Sequence, residues 1–158
     1  MSARIYGGEL SYSVGLTRAI LLLGGLSYAR GSKEPRPAYG ILDRNLAEMP
    51  PMKSRTALRW GTKVFFAEGE LALVRGQGRV DLDLQEDNTP GYALMNLKTG
   101  IHARKLNLTL GIDNLFNRFY YEHLSFQRDP FRSGVKVPEP GRSFYVNVSY
   151  TFQKAGLP

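Results

Sequence analysis

The sequence predicts an all-β protein, an antiparallel meander of about seven strands that forms part of a transmembrane β-barrel, and three observations carry that expectation. Apolar residues recur at every second position through most of the chain, which is the period of a strand with one greasy face. The connections between these runs alternate short, long, short, long, short, long. No run is apolar enough to cross a membrane as a helix: the longest, Ala19 to Leu26, falls far short of the roughly 18 residues required.

The first strand places Tyr6, Gly8, Leu10, Tyr12, Val14 and Leu16 on one face, with Gly7, Glu9, Ser11, Ser13 and Gly15 on the other. A tight connection at Thr17 and Arg18 leads to a second strand, Ala19 to Arg30, whose middle is apolar on both faces. Gly31 to Pro50 holds Lys33-Glu34-Pro35-Arg36-Pro37 and reads as a loop, because such a stretch cannot continue a strand. In the third strand Met52, Ser54, Thr56, Leu58 and Trp60 oppose Lys53, Arg55, Ala57 and Arg59. Charges facing lipid would cost roughly 2–4 kcal/mol each, so the cations are expected in the barrel lumen, while Trp60 at the strand end suits an interfacial aromatic girdle or simply the core.

A turn at Gly61-Thr62-Lys63 opens the fourth strand, Val64 to Arg75, with Glu68 and Glu70 on one face. Two carboxylates invite a glycosidase reading. Their spacing of two sets them side by side opposite the preceding arginines, which favours charge pairing. Gly76 to Pro90, with Asp81, Asp83, Glu86 and Asp87, lacks the ordered ligand spacing of a calcium loop and is expected to be solvated. The fifth strand runs from Tyr92 to Ile101, and His102 to Lys105 turns back into the sixth, Leu106 to Ile112. The seventh puts Phe144, Val146, Val148, Tyr150 and Phe152 on one face. Between the last two, Asn114 to Arg142 is far longer than any hairpin turn, and loops of that length are usually functional or disordered.

When strands run up and down across a slab, every second connection lies on the same side. The alternation therefore puts tight turns at one end and long loops at the other, as in outer-membrane barrels. Seven is an odd number, and bacterial single-chain barrels have even ones, so an open piece of a barrel is expected.

The block Gly111-Ile112-Asp113-Asn114-Leu115-Phe116-Asn117-Arg118, then Tyr120-Tyr121-Glu122-His123, Pro140-Gly141-Arg142 and the terminal Tyr150-Thr151-Phe152 resemble the last two barrel strands of TonB-dependent outer-membrane receptors. Met49-Pro50-Pro51 and Thr89-Pro90-Gly91-Tyr92 also sit where that family has comparable segments. The resemblance implies an incomplete C-terminal portion of the barrel, residues 1–152, followed by a short tail, 153–158. It implies energised uptake of a scarce ligand such as a ferric siderophore, cobalamin or another metal chelate. The implied partners are outer-membrane lipid, the N-terminal plug and further barrel strands of a longer protein, the TonB complex reached through that whole protein, and the barrel-assembly machinery. That machinery is expected to read the terminal strand through Phe144, Val146, Val148, Tyr150 and Phe152.

Composition sets limits around this reading. The chain has 158 residues, a formal net charge of +7 and no cysteine. The charge raises nucleic acid or anionic lipid as partners. The cations are scattered rather than gathered in one block, so no nucleic acid is expected. The lack of cysteine removes disulfides and thiolate chemistry. Met1-Ser2-Ala3-Arg4 leads straight into a strand without a signal-peptide pattern; since the resemblance implies an exported protein of a Gram-negative outer membrane, the two together suggest a piece of a longer protein.

No Ser-His-Asp, Cys-His or phosphate-cradling motif stands in its required context, so neither an enzyme nor a cofactor is expected. His102 and His123 are too far apart in sequence to argue for a metal site. Tyr120, Tyr121, His123 and Arg128 are the candidates for an external ligand surface, because aromatic residues and arginine are favoured at recognition sites. Lys53, Arg55, Arg59, Glu68 and Glu70 are the candidate lumen-facing charges. The alternative from another class is a small soluble antiparallel β-sheet binding module with an anionic partner.

Overall fold

The computed structural model describes residues 2–129 and 132–152. Seven long strands form one antiparallel sheet in strict meander order: β1 (Ala3–Gly15), β2 (Ile20–Lys33), β3 (Lys53–Gly61), β4 (Phe65–Val74), β5 (Tyr92–Ala103), β6 (Leu106–Asp113) and β9 (Ser143–Tyr150). A separate two-stranded hairpin, β7 (Phe126–Asp129) with β8 (Arg132–Lys136), rises inside the last long connection. The sheet is open, with β1 and β9 at its edges.

Register follows the alternation of the sequence. The row Val14, Leu22, Leu58, Gly69, Leu97, Ile112 and Phe144 crosses all seven strands on one face. Along β6 and β9 the pairs Leu108–Val148 and Leu110–Val146 continue that face. Leu10, Leu58, Leu71, Leu110 and Val146 are all exposed. A slip of one residue anywhere would exchange the two faces, so the leucine pattern holds the register. The opposite face carries Lys53, Arg55, Arg59, Glu68, Glu70, Asn96 and Lys98.

Two glycines of the sheet lie directly opposite tyrosines, Gly24 against Tyr12 and Gly111 against Tyr145. A Cβ at either glycine would run into the tyrosine ring. The aromatic ring thus fills the space that the glycine leaves, a device that pins cross-strand register. Tyr12 reaches one strand further, where its hydroxyl and that of Thr56 share a hydrogen bond of 3.0 Å.

The short connections, residues 16–19, 62–64 and 104–105, lie at one end of the sheet, and the long ones, 34–52, 75–91 and 114–142, at the other. Thr17 and Thr62 stabilise the first two turns by accepting backbone N–H bonds on their side-chain oxygens, from Ile20 at 3.0 Å and from Phe65 at 3.0 Å.

Four expectations need correction. The second strand runs to Lys33 rather than Arg30, because the loop after it supplies partners at its end: Lys33 N–H donates to the Arg44 carbonyl at 2.8 Å. The last strand stops at Tyr150. Thr151 N–H still donates to the Lys105 carbonyl at 2.8 Å, but Phe152 lies beyond the ladder, exposed and against the Tyr150 ring at 4.8 Å. The acidic stretch Gly76 to Pro90 is solvated only in part: Leu82 and Leu84 are exposed, but Asp81, at 1% exposure, and Gln77, Val80 and Thr89 are buried. The segment from Asn114 to Arg142 contains the β7–β8 hairpin, which its sequence had not suggested. The expected tail, 153–158, lies outside the described residues.

Candidate functional site

The three long loops are bound to one another above the sheet. Lys33 projects from the end of β2 with its ammonium buried, 2.5 Å from Asp81 Oδ2 and 3.1 Å from Asp83 Oδ2. Asp83 in turn accepts the backbone N–H groups of Leu42, at 3.1 Å, and Asp43, at 2.9 Å. Asp43 returns the arrangement by accepting Leu82 N–H at 2.9 Å and Asn45 N–H at 2.9 Å. The Asn45 amide donates to the Val80 carbonyl at 3.1 Å, and the Gln77 amide to the Met49 carbonyl at 2.8 Å. The first two loops therefore exchange hydrogen bonds in both directions, and their buried polar groups are satisfied.

The carboxylates respond to these donors. Backbone N–H bonds, first those of Asp43 on Asp83 and of Asn45 on Asp43, hold both carboxyls below the ordinary aspartate range, and Lys33 adds to the effect on Asp83. Among the described residues no group of three or more His, Asp or Glu is arranged to hold a metal ion.

The third loop joins through Glu86 and His123. One Glu86 oxygen accepts Glu48 N–H at 2.9 Å and lies 3.1 Å from His123 Nε2, while its other oxygen accepts Asp81 N–H at 2.8 Å. His123 Nδ1 meets the Thr89 hydroxyl at 2.8 Å. The ring is buried and engaged at both nitrogens, a tie within the loops rather than a group presented outward. Lys136 donates to the Asn88 carbonyl at 2.5 Å. Glu122 bridges down to the sheet, accepting from Lys53 at 3.0 Å and from the Tyr92 hydroxyl at 2.5 Å. Burial pushes the Glu122 carboxyl up, but the Tyr92 and Lys53 donors outweigh it and leave it below the usual glutamate range. Tyr120 is half-buried against Tyr92 at 4.4 Å between ring centres, and Tyr121 meets Phe119 edge-on at 5.2 Å. Arg128 stands in β7, and its side chain lies outside the described residues.

The neck of the third loop explains why its motif has this composition. Asn114 and Asn117 both adopt left-handed backbone conformations, at φ of 52° and 53°, which asparagine tolerates better than other side chains. Asn114 accepts Arg118 N–H at 2.7 Å and donates to the Arg118 carbonyl at 2.8 Å. Asn117 Oδ1 accepts Arg142 N–H at 2.9 Å, so the chain leaving β6 is clamped to the chain returning to β9. A Cβ on Gly141 would come 2.6 Å from Asn117 Oδ1 and so would push that side chain off its bond to Arg142 N–H.

Below the loops, the polar face of the sheet brings the five expected charges together. Glu68 is buried between Lys98 at 2.8 Å and Arg59 at 3.8 Å, and Arg59 also stacks over Phe66 at 4.1 Å. Arg55 and Glu70 are 3.9 Å apart, and Glu70 accepts the Asn96 amide at 2.9 Å. Lys53, Arg55, Glu68 and Glu70 line a recess of about 420 Å³ with Glu9, Ser11 and Ser27. Sequence reasoning gave Lys33 and Asp43 no part in a site, and set Asp81, Asp83 and Glu86 aside as solvated. Their one signal was the Asp81-x-Asp83 spacing, which a solvated loop shares.

An open antiparallel meander with one exposed apolar face, one charged face, tight turns at one end and interlocked long loops at the other is a segment of outer-membrane β-barrel wall. The sequence profile described as "TonB dependent receptor-like, beta-barrel" matches residues 2–115. The chain belongs to the TonB-dependent receptor family, whose members are outer-membrane transport receptors rather than enzymes. It is 34% identical over 140 residues to TonB-dependent heme receptor A of Haemophilus influenzae (strain 86-028NP), an alignment covering 80% of this chain and 18% of that protein. It is 33% identical over 67 residues to Heme transporter BhuA of Brucella ovis, covering 40% of this chain and 10% of that one. Among solved structures, Copper transporter OprC superposes with a TM-score of 0.81 at 31% identity, over 95% of this chain and 24% of that one. The ferric yersiniabactin receptor FyuA of Yersinia pestis shares the fold, with a TM-score of 0.70 at 16% identity over 96% of this chain and 24% of that one. The chain thus spans about a fifth to a quarter of the proteins it matches over most of its length. The family match sets aside the soluble-module alternative.

Proposed function

We propose that this chain supplies the C-terminal stretch of barrel wall and three outward loops of a receptor that takes up a scarce metal-bearing ligand in a TonB-energised step. Residues 1–152 are its barrel segment and 153–158 a short tail, within a longer exported protein of a Gram-negative outer membrane. The observation that carries the reading is the union of the three long loops, by the buried Lys33–Asp81 ion pair and the buried His123–Glu86 contact, at one end of a wall whose outer face is apolar. A membrane barrel needs that apolar face, and a receptor needs a formed surface at its outer mouth.

In this reading Lys53, Arg55, Arg59, Glu68 and Glu70 line the lumen against the N-terminal plug. Tyr120, Tyr121 and Arg128 belong to the ligand-facing side of the third loop, with His123 holding them from beneath. Phe144, Val146, Val148, Tyr150 and Phe152 are the row that the barrel-assembly machinery meets by adding a strand to an edge. The ligand class is a ferric siderophore, cobalamin, haem or another metal chelate, and the heme receptors and the copper transporter among its relatives favour that class.

The test is growth. The whole receptor carrying this chain is placed in a strain lacking its own uptake systems, and haem, a ferric siderophore, cobalamin or a copper chelate is supplied as the limiting nutrient. Growth on one of these that disappears when TonB is deleted supports the proposal. Equal growth with and without TonB, or growth on none, defeats it.

A further inference from the structure

The strongly basic balance of the chain has a spatial arrangement that its sequence conceals. On the charged face every cation described above has a carboxylate partner: Lys33 has Asp81, Lys53 has Glu122, Arg55 has Glu70, and Arg59 and Lys98 share Glu68. On the opposite face, at the long-loop end, stand Arg4, Arg30, Arg75 and Arg79. Among the described residues none of these four has a carboxylate within ion-pair distance.

Their placement follows from register. Tyr6 lies opposite Arg30, and Gly8 opposite Tyr28, so Arg4 and Arg30 continue the face that carries Leu10, Leu22 and Leu26. The other side of β2 at this level is covered, because Gly31 lies against Leu46 and Met49 of the first loop. Arg30 therefore points away from the loops and the lumen. Arg75 follows buried Val74 and exposed Leu73 on the same alternation, with its backbone N–H on the Met52 carbonyl at 2.9 Å. Arg79 reaches back from the second loop, donating to the Tyr28 hydroxyl at 3.1 Å, with its guanidinium 5.5 Å from the centre of that ring. Both Arg79 and Arg30 lie close enough to Tyr28 to act on its hydroxyl electrostatically. Arg4 shares a surface recess with the Glu34 carboxylate, so it flanks the other three rather than leading them.

From the middle of the wall outward the sequence of surfaces is leucine, then Tyr6 and Tyr28, then arginine. Tyrosine at this level suits the boundary between hydrocarbon and headgroups, and unpaired guanidiniums just beyond it match phosphate geometry with their rigid forks. Basic pockets at this depth recognise anionic lipid headgroups. We propose that Arg30, Arg75 and Arg79, flanked by Arg4, form a rim that binds the phosphate groups of an anionic lipid of the outer leaflet. This rests on the reading of the chain as an outer-membrane barrel wall with its long loops outward.

The test uses the whole receptor carrying this chain, extracted from outer membranes in mild detergent and titrated with lipopolysaccharide or with its dephosphorylated form. Bound lipid is counted by native mass spectrometry. Binding of the phosphorylated form is expected to weaken about fivefold for each arginine changed to glutamine, and on the order of a hundredfold in the triple variant Arg30→Gln, Arg75→Gln, Arg79→Gln. Arg18→Gln with Lys63→Gln, at the short-turn end, should leave it unchanged, and the dephosphorylated lipid should bind the native receptor as weakly as the triple variant binds the phosphorylated one. Among the described residues the Arg75 side chain makes no hydrogen bond, so the single change Arg75→Gln carries the test if the triple variant does not fold. Undiminished binding by folded variants, or equal binding of the dephosphorylated lipid, overturns the proposal. A native receptor without a heat-modifiable folded form would instead overturn the barrel reading on which it rests.

Discussion

In the seven-stranded wall the leucines and valines of one face remain exposed, whereas in the loops above it Lys33, Asp81, Gln77, Thr89 and His123 are among the most withdrawn residues of the chain. The two regions invert the usual arrangement of a soluble domain in different ways. In the wall, backbone ladders join each strand to its neighbours from β1 to β9 and the apolar face waits for lipid, so side-chain chemistry there mainly sets which way each residue points. In the loops, outside the short β7–β8 hairpin, three chain segments hold their shape because buried charges meet backbone N–H groups and each other. The wall should therefore tolerate polar change on its inner face and fail on its outer one, while the loops should fail wherever a buried polar partner is lost.

The largest expected effect is in the loops. Lys33→Met would leave Asp81 as an unpaired buried charge, at a cost of about 3–5 kcal/mol to the local structure. Limited proteolysis of the whole receptor should then cut within residues 34–52 or 75–91, while the barrel keeps its heat-modifiable form. Loss of the barrel together with the loops would erase the distinction between the two regions.

Next comes the wall. Val146→Arg, on the exposed apolar face, should cost roughly 2–4 kcal/mol at the membrane midplane. Asn147→Arg, one residue away on the polar face, should cost much less, and urea unfolding of barrels refolded into vesicles would compare the two. Equal costs would mean that the faces are wrongly assigned.

At the boundary between the regions, Asn114→Ala removes the side chain that holds the backbone of Arg118 at both its N–H and its carbonyl, and should cost about 1–3 kcal/mol. Hydrogen exchange should accelerate at the Arg118 amide and leave the β5–β6 ladder protected. Exchange spreading along β6 would mean that loop and wall are one cooperative unit.

The smallest effect is on pH dependence. The carboxyls of Asp43 and Asp83 are held below the ordinary aspartate value, so their contribution is complete above the unfolded pKa, about 3.9, and is lost only as pH falls through the lower folded values. Amide exchange at Leu42, Asp43 and Leu82, corrected for its intrinsic rate, should stay slow at pH 5 and rise only in stronger acid. A rise already between pH 6 and 5 would point away from these aspartates.

The strands and their order were legible because a period of two is local: Leu106, Leu108, Leu110 and Ile112 announce a face without reference to anything else. The alternation of short and long connections told which ends group together, and the motif from Gly111 to Arg118 told the family. The extension of β2 to Lys33 and the end of the last strand at Tyr150 were not legible, since each depends on whether a partner segment offers its backbone there. The candidate site was legible only in outline. Tyr120, Tyr121 and His123 were noticed for their chemistry, but whether an imidazole faces solvent or Glu86 is decided by a residue 37 positions away in the chain.

By itself the sequence determined the strands, their faces, the two unlike ends and the family, because alternation and turn chemistry act over a few residues. The tertiary structure decided that Asp81 in an acidic loop is buried, that Lys33 is its counter-ion, and that Asn117 closes a neck on Arg142. Each of these is a pairing across 25 or more residues, as Asn117 with Arg142 and Lys33 with Asp81 show. Charge and hydrogen-bonding capacity are written in the sequence, but the partner that satisfies them is fixed only once the meander has brought the ends of the strands together.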